Sequence, residues 1–220
     1  MLDTLHRPPS LKDMAFQALK SAILEDKLLP EKIYKIEELA KDLGISKTPV
    51  REALQDLSSL KFVNILPRRG IMVNVLYEKD IQDLYEFRAA IEAAIIRHIG
   101  PTITSENIEH AQRINDEAMD CGNEERIAYL KKDREFHRFL SELSQNDYLT
   151  DALEHVRDLV DWMGIKALTK EDRMLEVCEE HNRVLEMLRR SDTGGAARMM
   201  VEHVVITREV VLRQLKERWK

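Results

Sequence analysis

Asp133 and His137 stand four residues apart in a stretch that reads as helix, so both project from one face about one turn apart. That is how a single helix offers two ligands to one metal ion. Two more histidines lie among apolar residues of later helical stretches: His181 with Val177, Val184, Leu185 and Leu188, and His203 with Val204, Val205 and Ile206. If the three helices converge, three imidazoles and a carboxylate suit zinc, nickel or another divalent transition metal, and an oxygen ligand could fill an open position. A histidine alone on an apolar face is more often a hydrogen-bonded core residue than a ligand; the set of four makes the metal reading worth pursuing. His6, His98, His110 and His155 have no such companions and read as surface or core residues.

A second chemistry is written in Gly44 to Leu54, GISKTPVREAL. Val50, Ala53, Leu54 and Leu57 recur at i, i+3, i+4 and i+7, the apolar stripe of a helix packed on a small core. Lys47, Thr48, Arg51 and Gln55 fall on the opposite side. Cationic and amide donors at a helix N-terminus add to unpaired backbone N–H groups and a dipole that already favour phosphate.

The elements around this helix position that donor face. Ser46 is a suitable N-cap, and Pro49 falls in the first turn, where backbone N–H groups have no intrahelical partner. Ile36 to Leu43 reads as a short amphipathic helix with Ile36, Leu39, Ala40 and Leu43 inward, and Gly44 permits a sharp turn between the two. The pair is a helix-turn-helix, although spacing alone also fits an ordinary helical hairpin inside a core. Phe62 to Ile65 and Ile71 to Val75 are β-branched and aromatic runs separated by Leu66-Pro67-Arg68-Arg69-Gly70, which predicts a hairpin with two arginines at its tip. A cationic hairpin beside a helix-turn-helix is a wing, able to touch a DNA backbone or minor groove while the helix reads the major groove.

SKTPVREAL followed by the PRRG tip closely resembles the winged-helix domain of the GntR family of bacterial transcription regulators. The resemblance implies Ser46, Lys47, Thr48 and Arg51 as recognition-helix contacts, with Arg68, Arg69 and Gly70 at the wing. Two residues depart from the pattern. Glu37 stands where many members have an arginine that touches phosphate, and Lys35 where Ser or Asn usually caps the second helix. An acid facing phosphate is repulsive, so that helix is expected to sit further from the backbone.

The chain of 220 residues, 44% hydrophobic, exceeds a typical single domain and can bury a real core. With 34% charged residues, 7 Gly, 6 Pro and only 5% aromatics, the composition favours long helices: a mainly α protein is expected. The formal net charge of -6 divides unevenly at Leu76. Twelve basic residues face 10 acidic in the first part and 22 face 30 in the rest, giving +2 and -8. So weak a positive excess argues for paired DNA-binding modules with locally clustered charge. Cys121 and Cys178 form no CxxC pattern, so no disulfide framework or thiolate zinc site is indicated, and both read as inert helix residues. No apolar run of about 20 residues and no apolar leader is present, so a cytoplasmic chain with no membrane partner is expected.

A first helix is expected over about 11 to 26, with Met14, Ala15, Ala18, Leu19, Ala22 and Ile23 on one face. After a linker at Leu76-Tyr77, punctuation predicts six helices over about 78 to 99, 104 to 121, 123 to 144, 147 to 168, 171 to 190 and 194 to 218. Ser105, Asn123 and Asp147 are candidate caps, and Gly122 and Gly194-Gly195 candidate breaks. The expected domains are thus a winged helix-turn-helix over 1–76 and an all-helical bundle over 77–220.

In that bundle DREFH, EEHNRVL and VEHV resemble the C-terminal ligand-binding (FCD) domain of the FadR subgroup of the GntR family, in its smaller six-helix, VanR-like variant. The resemblance implies Asp133, His137, His181 and His203 as ligands of a divalent metal. It also places Arg88, in YEFRAAIEAA, toward an effector cavity, where a guanidinium fork suits a carboxylate. A surface ion pair with Glu92 or Glu86 is the plainer reading of Arg88. The family implies a homodimer on an inverted-repeat operator in double-stranded DNA, a repressor controlled by a small organic acid bound near the metal. A metal-responsive regulator is the alternative. A metal-dependent hydrolase is less favoured, because HExxH, a Gly-rich phosphate loop and an evident general base are missing.

Overall fold

The computed structural model describes residues 9–75, 77–121, 126–167 and 172–218. The chain divides into two compact units, Met1–Leu76 and Tyr77–Lys220.

The first unit starts with α1 (Leu11–Leu24), opened by a capping box in which Ser10 Oγ accepts from the Asp13 N–H and the Asp13 carboxylate accepts from the Ser10 N–H, each at 3.1 Å. Its buried line is Ala15, Leu19 and Ile23. Met14 and Ala18, expected inward, are exposed. The reason is that α1 packs mainly on one neighbour, α3 (Lys47–Ser59), which covers a single narrow stripe. In α3 the expected Val50, Ala53, Leu54 and Leu57 are all buried. Before it comes α2 (Ile36–Asp42), which starts without a side-chain cap from Lys35, and Gly44 turns the chain with φ of 68°.

The hairpin consists of β2 (Val63–Leu66) and β3 (Gly70–Val73), antiparallel, with Val63 opposite Val73 and Leu66 opposite Gly70. A strand missed in the sequence, β1 (Ile33–Tyr34), pairs with the other edge of β3, giving the order β1-β3-β2. Two residues carry too little periodicity to be read as a strand. Gly70 has φ of 125°, and a Cβ there would lie 2.1 Å from the carbonyl oxygen of Tyr34.

The second unit is all-helical among its described residues: α4 (Glu78–Ile99), α5 (Ser105–Met119), α6 (Arg126–Glu142), α7 (Asp147–Ala167), α8 (Asp172–Arg189) and α9 (Thr193–Arg218). The expected mainly α architecture, a winged helix-turn-helix followed by a helical bundle, is therefore present. Helix α4 packs on α9, α7 and α6, while α8 packs on α9 and α5. The α5 cap is Thr104 rather than Ser105, its Oγ1 accepting from the Asn107 N–H at 3.2 Å. Asn146, rather than Asp147, accepts from the Leu149 N–H at 3.3 Å at the start of α7. Gly194 and Gly195 lie inside the first turn of α9, where the Gly195 N–H donates to Asp192 Oδ1 at 2.7 Å. Gly122 and Asn123 are outside the described residues. Cys178 is buried, its thiol pushed up to about 12 by desolvation, and Cys121 lies just beyond α5. No described helix is long and apolar enough to cross a membrane.

Gly70→Ala is expected to destabilise the protein by roughly 2 kcal/mol or more, since it combines a disfavoured φ with a backbone clash. Gly44→Ala, at positive φ but with nothing within 4 Å of the new Cβ, should cost only about 1 to 2 kcal/mol. Urea unfolding of both variants checks the order; equal losses would mean that the approach of Tyr34 is not what selects glycine.

Candidate nucleic-acid interface and metal centre

Lys47, Thr48, Arg51 and Gln55 are all exposed on α3, opposite its buried stripe. Ser46 occupies the N-cap position with extended backbone, but its hydroxyl makes no capping hydrogen bond. Ser46, Lys47 and Thr48 are all exposed at this helix start. Glu37 does not stand as a bare repulsive acid: Lys47 Nζ donates to its Oε1 at 2.7 Å, and that hydrogen bond, followed by a backbone hydrogen bond and charge attraction, lowers the Glu37 carboxyl below its usual range. Both partners are about half exposed, so the pair is weak and exchangeable. At the wing, Arg68 and Arg69 are exposed at the turn, where Arg68 adopts φ of 62° and the Arg69 N–H closes on the Leu66 carbonyl at 3.0 Å. Gly70 is only partly exposed, and its identity follows from the Tyr34 backbone beside it.

The four expected ligands converge in the bundle. His137, His181 and His203, from α6, α8 and α9, are each about 98% or more buried and present ring nitrogens within 4.8 Å of one another. Asp133 Oδ1 lies 3.9 Å from His137 Nε2 and 3.8 Å from His181 Nε2. Phe136, one residue before His137, stacks on the His181 ring with centroids 4.1 Å apart. His98, His110 and His155 are exposed, and His6 is outside the described residues.

Each imidazole is oriented through Nδ1 by a partner that the sequence did not connect to it. His137 Nδ1 donates to Glu92, and His203 Nδ1 donates to Glu180 Oε2 at 2.7 Å. Asn115 spends both amide hydrogens on the Cys178 carbonyl and Asn182 Oδ1, each at 2.9 Å. Its Oδ1 is therefore the acceptor for His181 Nδ1, at 3.0 Å. All three rings thus carry the proton on Nδ1 and an Nε2 lone pair inward, the tautomer a metal requires. His181 Nε2 and His203 Nε2 are buried without a hydrogen-bond partner. Buried polar atoms are rarely left so, and this donor set fits a divalent metal.

The surroundings are charged on both sides. Arg88 is 1% exposed, so its ion pair with Glu92, Nε to Oε1 at 2.6 Å, is a buried one rather than the surface pair of the plainer reading, and Glu86 is not its partner. Arg88 Nη2 also lies 3.1 Å from His137 Nε2. Arg157 on α7, equally buried, donates from Nη2 to Asp133. Burial alone would raise the Asp133 carboxyl, but Arg157 and the neighbouring rings hold it well below the ordinary range. Glu92 is lowered likewise, burial being outweighed by His137 and Arg88. Glu180 is clamped by Arg173, Nη1 to Oε1 at 2.6 Å and Nη2 to Oε2 at 3.1 Å. Beyond Arg88, already named from the sequence, the signal for Glu92 and Arg157 was available: each is a charged residue on its helix's apolar stripe, among Ile81, Tyr85, Ile95 and Ile99 on α4 and among Leu153, Val156 and Val160 on α7.

Residues 11–73 match the family described as bacterial regulatory proteins, gntR family, and residues 83–205 match the FCD domain. The HTH-type transcriptional regulator YdhC of Bacillus subtilis (strain 168) is 25% identical over 202 residues, 90% of either chain. The HTH-type transcriptional repressor RspR of Escherichia coli (strain K12) is 23% identical over 206 residues, covering 92% of this chain and 89% of its own. Among solved structures, E. coli McbR/YncC superposes with a TM-score of 0.78 at 18% identity over 94% of this chain and 100% of that chain, a likeness of fold.

Burial holds His137 down to about 4 against the upward pull of Glu92, and pushes His181 well below its ordinary value. The unfolded chain then takes up protons near pH 6.5 that the folded chain refuses. Metal-free protein should therefore lose stability as the pH falls from about 6.5 toward 4, by up to about 1.4 kcal/mol per pH unit for each such histidine. Thermal melts in chelator across this window, with His137→Gln showing a shallower slope, check the assignment; an unchanged slope would mean that His137 is not held neutral.

Proposed function

Because this chain belongs to the gntR family of bacterial regulatory proteins and carries an FCD domain, and so is a transcription regulator rather than an enzyme, we propose that it is a dimeric repressor of an inverted-repeat operator controlled by a small carboxylate bound beside a divalent metal. Ser46, Lys47, Thr48 and Arg51 contact one DNA half-site from α3, with Arg68 and Arg69 at the wing; Gly70 lets that wing close. The DNA lies in the cytoplasm, and the regulator acts there. Two such modules must match the half-site separation, so a ligand that prefers one arrangement of the dimer changes operator affinity.

The observation that carries the regulatory half is the inward convergence of three Nε2 lone pairs and Asp133 Oδ1 beside two buried guanidiniums. His137, His181, His203 and Asp133 would hold zinc or nickel, whose charge would attract an organic acid. Arg88 supplies donors for the carboxylate. The relative RspR is a transcriptional repressor, which supports the same sign of control here. A metal-responsive regulator, in which the ion itself is the signal, uses the same ligands.

Arg51→Ala should cost roughly 1 to 3 kcal/mol of specific binding and flatten discrimination between operator variants if Arg51 reads a base; a uniform loss across sequences would reduce it to a phosphate contact. His181→Ala should abolish retention of one metal per chain, measured by elemental analysis of untagged protein. Native mass spectrometry showing an additional small-acid mass in the wild type supports the carboxylate reading. Operator binding that responds to metal with no organic ligand present would favour the metal sensor instead.

A further inference from the structure

His137 has a single lone pair to give. Its Nδ1–H is committed to Glu92, so Nε2 is the acceptor for the Arg88 Nη2 group 3.1 Å away. A guanidinium donates and cannot accept. The Arg88 contact therefore uses the same electron pair that a cation at the histidine cluster would need. His181 Nε2 and His203 Nε2 have no hydrogen-bond partner, so two rings are open while the third is already engaged, and by a positive charge.

Charge balance points the same way. The charges around the cluster are Arg88, Arg157 and Arg173 against Glu92, Asp133 and Glu180, which cancel. A divalent cation held there would leave two uncompensated positive charges in a dry interior, an expensive state unless an anion accompanies it. Arg88 is placed to meet that anion, because Glu92 Oε1 holds its Nε at 2.6 Å and keeps the guanidinium beside the site when Nη2 lets go of His137.

We propose that Arg88 is shared between two acceptors: it caps His137 Nε2 until that ring turns to a divalent cation, and its freed Nη2 group then joins Nη1 as a two-donor fork for a carboxylate. The acid receptor is thus complete only in the metal-loaded bundle, and acid and metal tighten each other's binding. The idea rests on the metal and carboxylate reading above, but assigns Arg88 a cost to metal binding that the reading does not contain.

The test is zinc titration of the full chain against a chromophoric chelator, with and without succinate as the carboxylate probe. Arg88→Met should bind zinc at least tenfold more tightly than wild type. Succinate should tighten zinc binding in the wild type and leave Arg88→Met unchanged. Arg88→Lys keeps the charge on a single ammonium that cannot hold Glu92 and His137 together as the fork does, so it should also bind zinc more tightly than wild type, by less. Equal or weaker zinc binding by Arg88→Met would overturn the proposal. Arg88→Lys matching wild type would overturn competition for the lone pair, leaving charge repulsion alone. Circular dichroism and melting establish folding, and if Arg88→Met does not fold, the lysine variant decides. Zinc bound equally by wild type and His181→Ala, or by neither, would instead remove the metal reading itself.

Discussion

Taking charge out of water is the constraint on which the second unit depends. Arg88, Arg157, Glu92, Asp133 and three imidazoles lie inside a helical bundle, where an unpaired ion costs several kcal/mol. The cost is met locally and with direction. Glu92 serves Arg88 through one oxygen and His137 through the other, and Arg157 serves Asp133. Glu180 lies between His203 and the Arg173 fork. Because every Nδ1 is tied outward, every Nε2 faces inward, so the polar groups that stabilise the core are the same ones that orient the cluster.

The first unit solves the opposite problem, keeping donors in water while holding them still. Its core is the stripe of α3 against α1, with Phe62, Val63, Ile71 and Val73 of the hairpin segment buried. The central position of β3 is possible only because Gly70 lets the backbone of Tyr34 approach it. The exposed Lys47–Glu37 pair contributes little to stability. It can therefore yield to a phosphate at small cost, whereas the buried Arg88–Glu92 and Arg157–Asp133 pairs of the bundle cannot be broken so lightly. An exposed interface can afford to exchange partners; a buried one must find a replacement for each.

That difference bears on how the proposed ligand signal would be made. A group such as Arg88, fully buried and bonded to both Glu92 and His137, cannot shift without leaving an unmet donor or acceptor. Small changes at the cluster are then resolved into discrete arrangements rather than gradual ones, the property a switch requires.

The linear chain determined the elements whose cause is local. Periodic apolar residues specified α3, punctuation marked out the six bundle helices, Pro67-Arg68-Arg69-Gly70 marked the wing turn, and the four-residue spacing of Asp133 and His137 put both on one face. Side-chain type also named His181 and His203, since a histidine amid valines and leucines demands an explanation. The tertiary structure alone decided what depends on separate helices meeting. Glu92, Asn115 and Glu180 become ring anchors only when α4, α5 and α8 are packed, and the pairing of Arg157 with Asp133 spans 24 residues. The caps at Thr104 and Asn146, the exposure of Met14 and the strand β1 depended likewise on which neighbour arrived. Spacing along one helix is set by bonded geometry, whereas the partner of a buried charge is set by packing, which no single stretch of sequence contains.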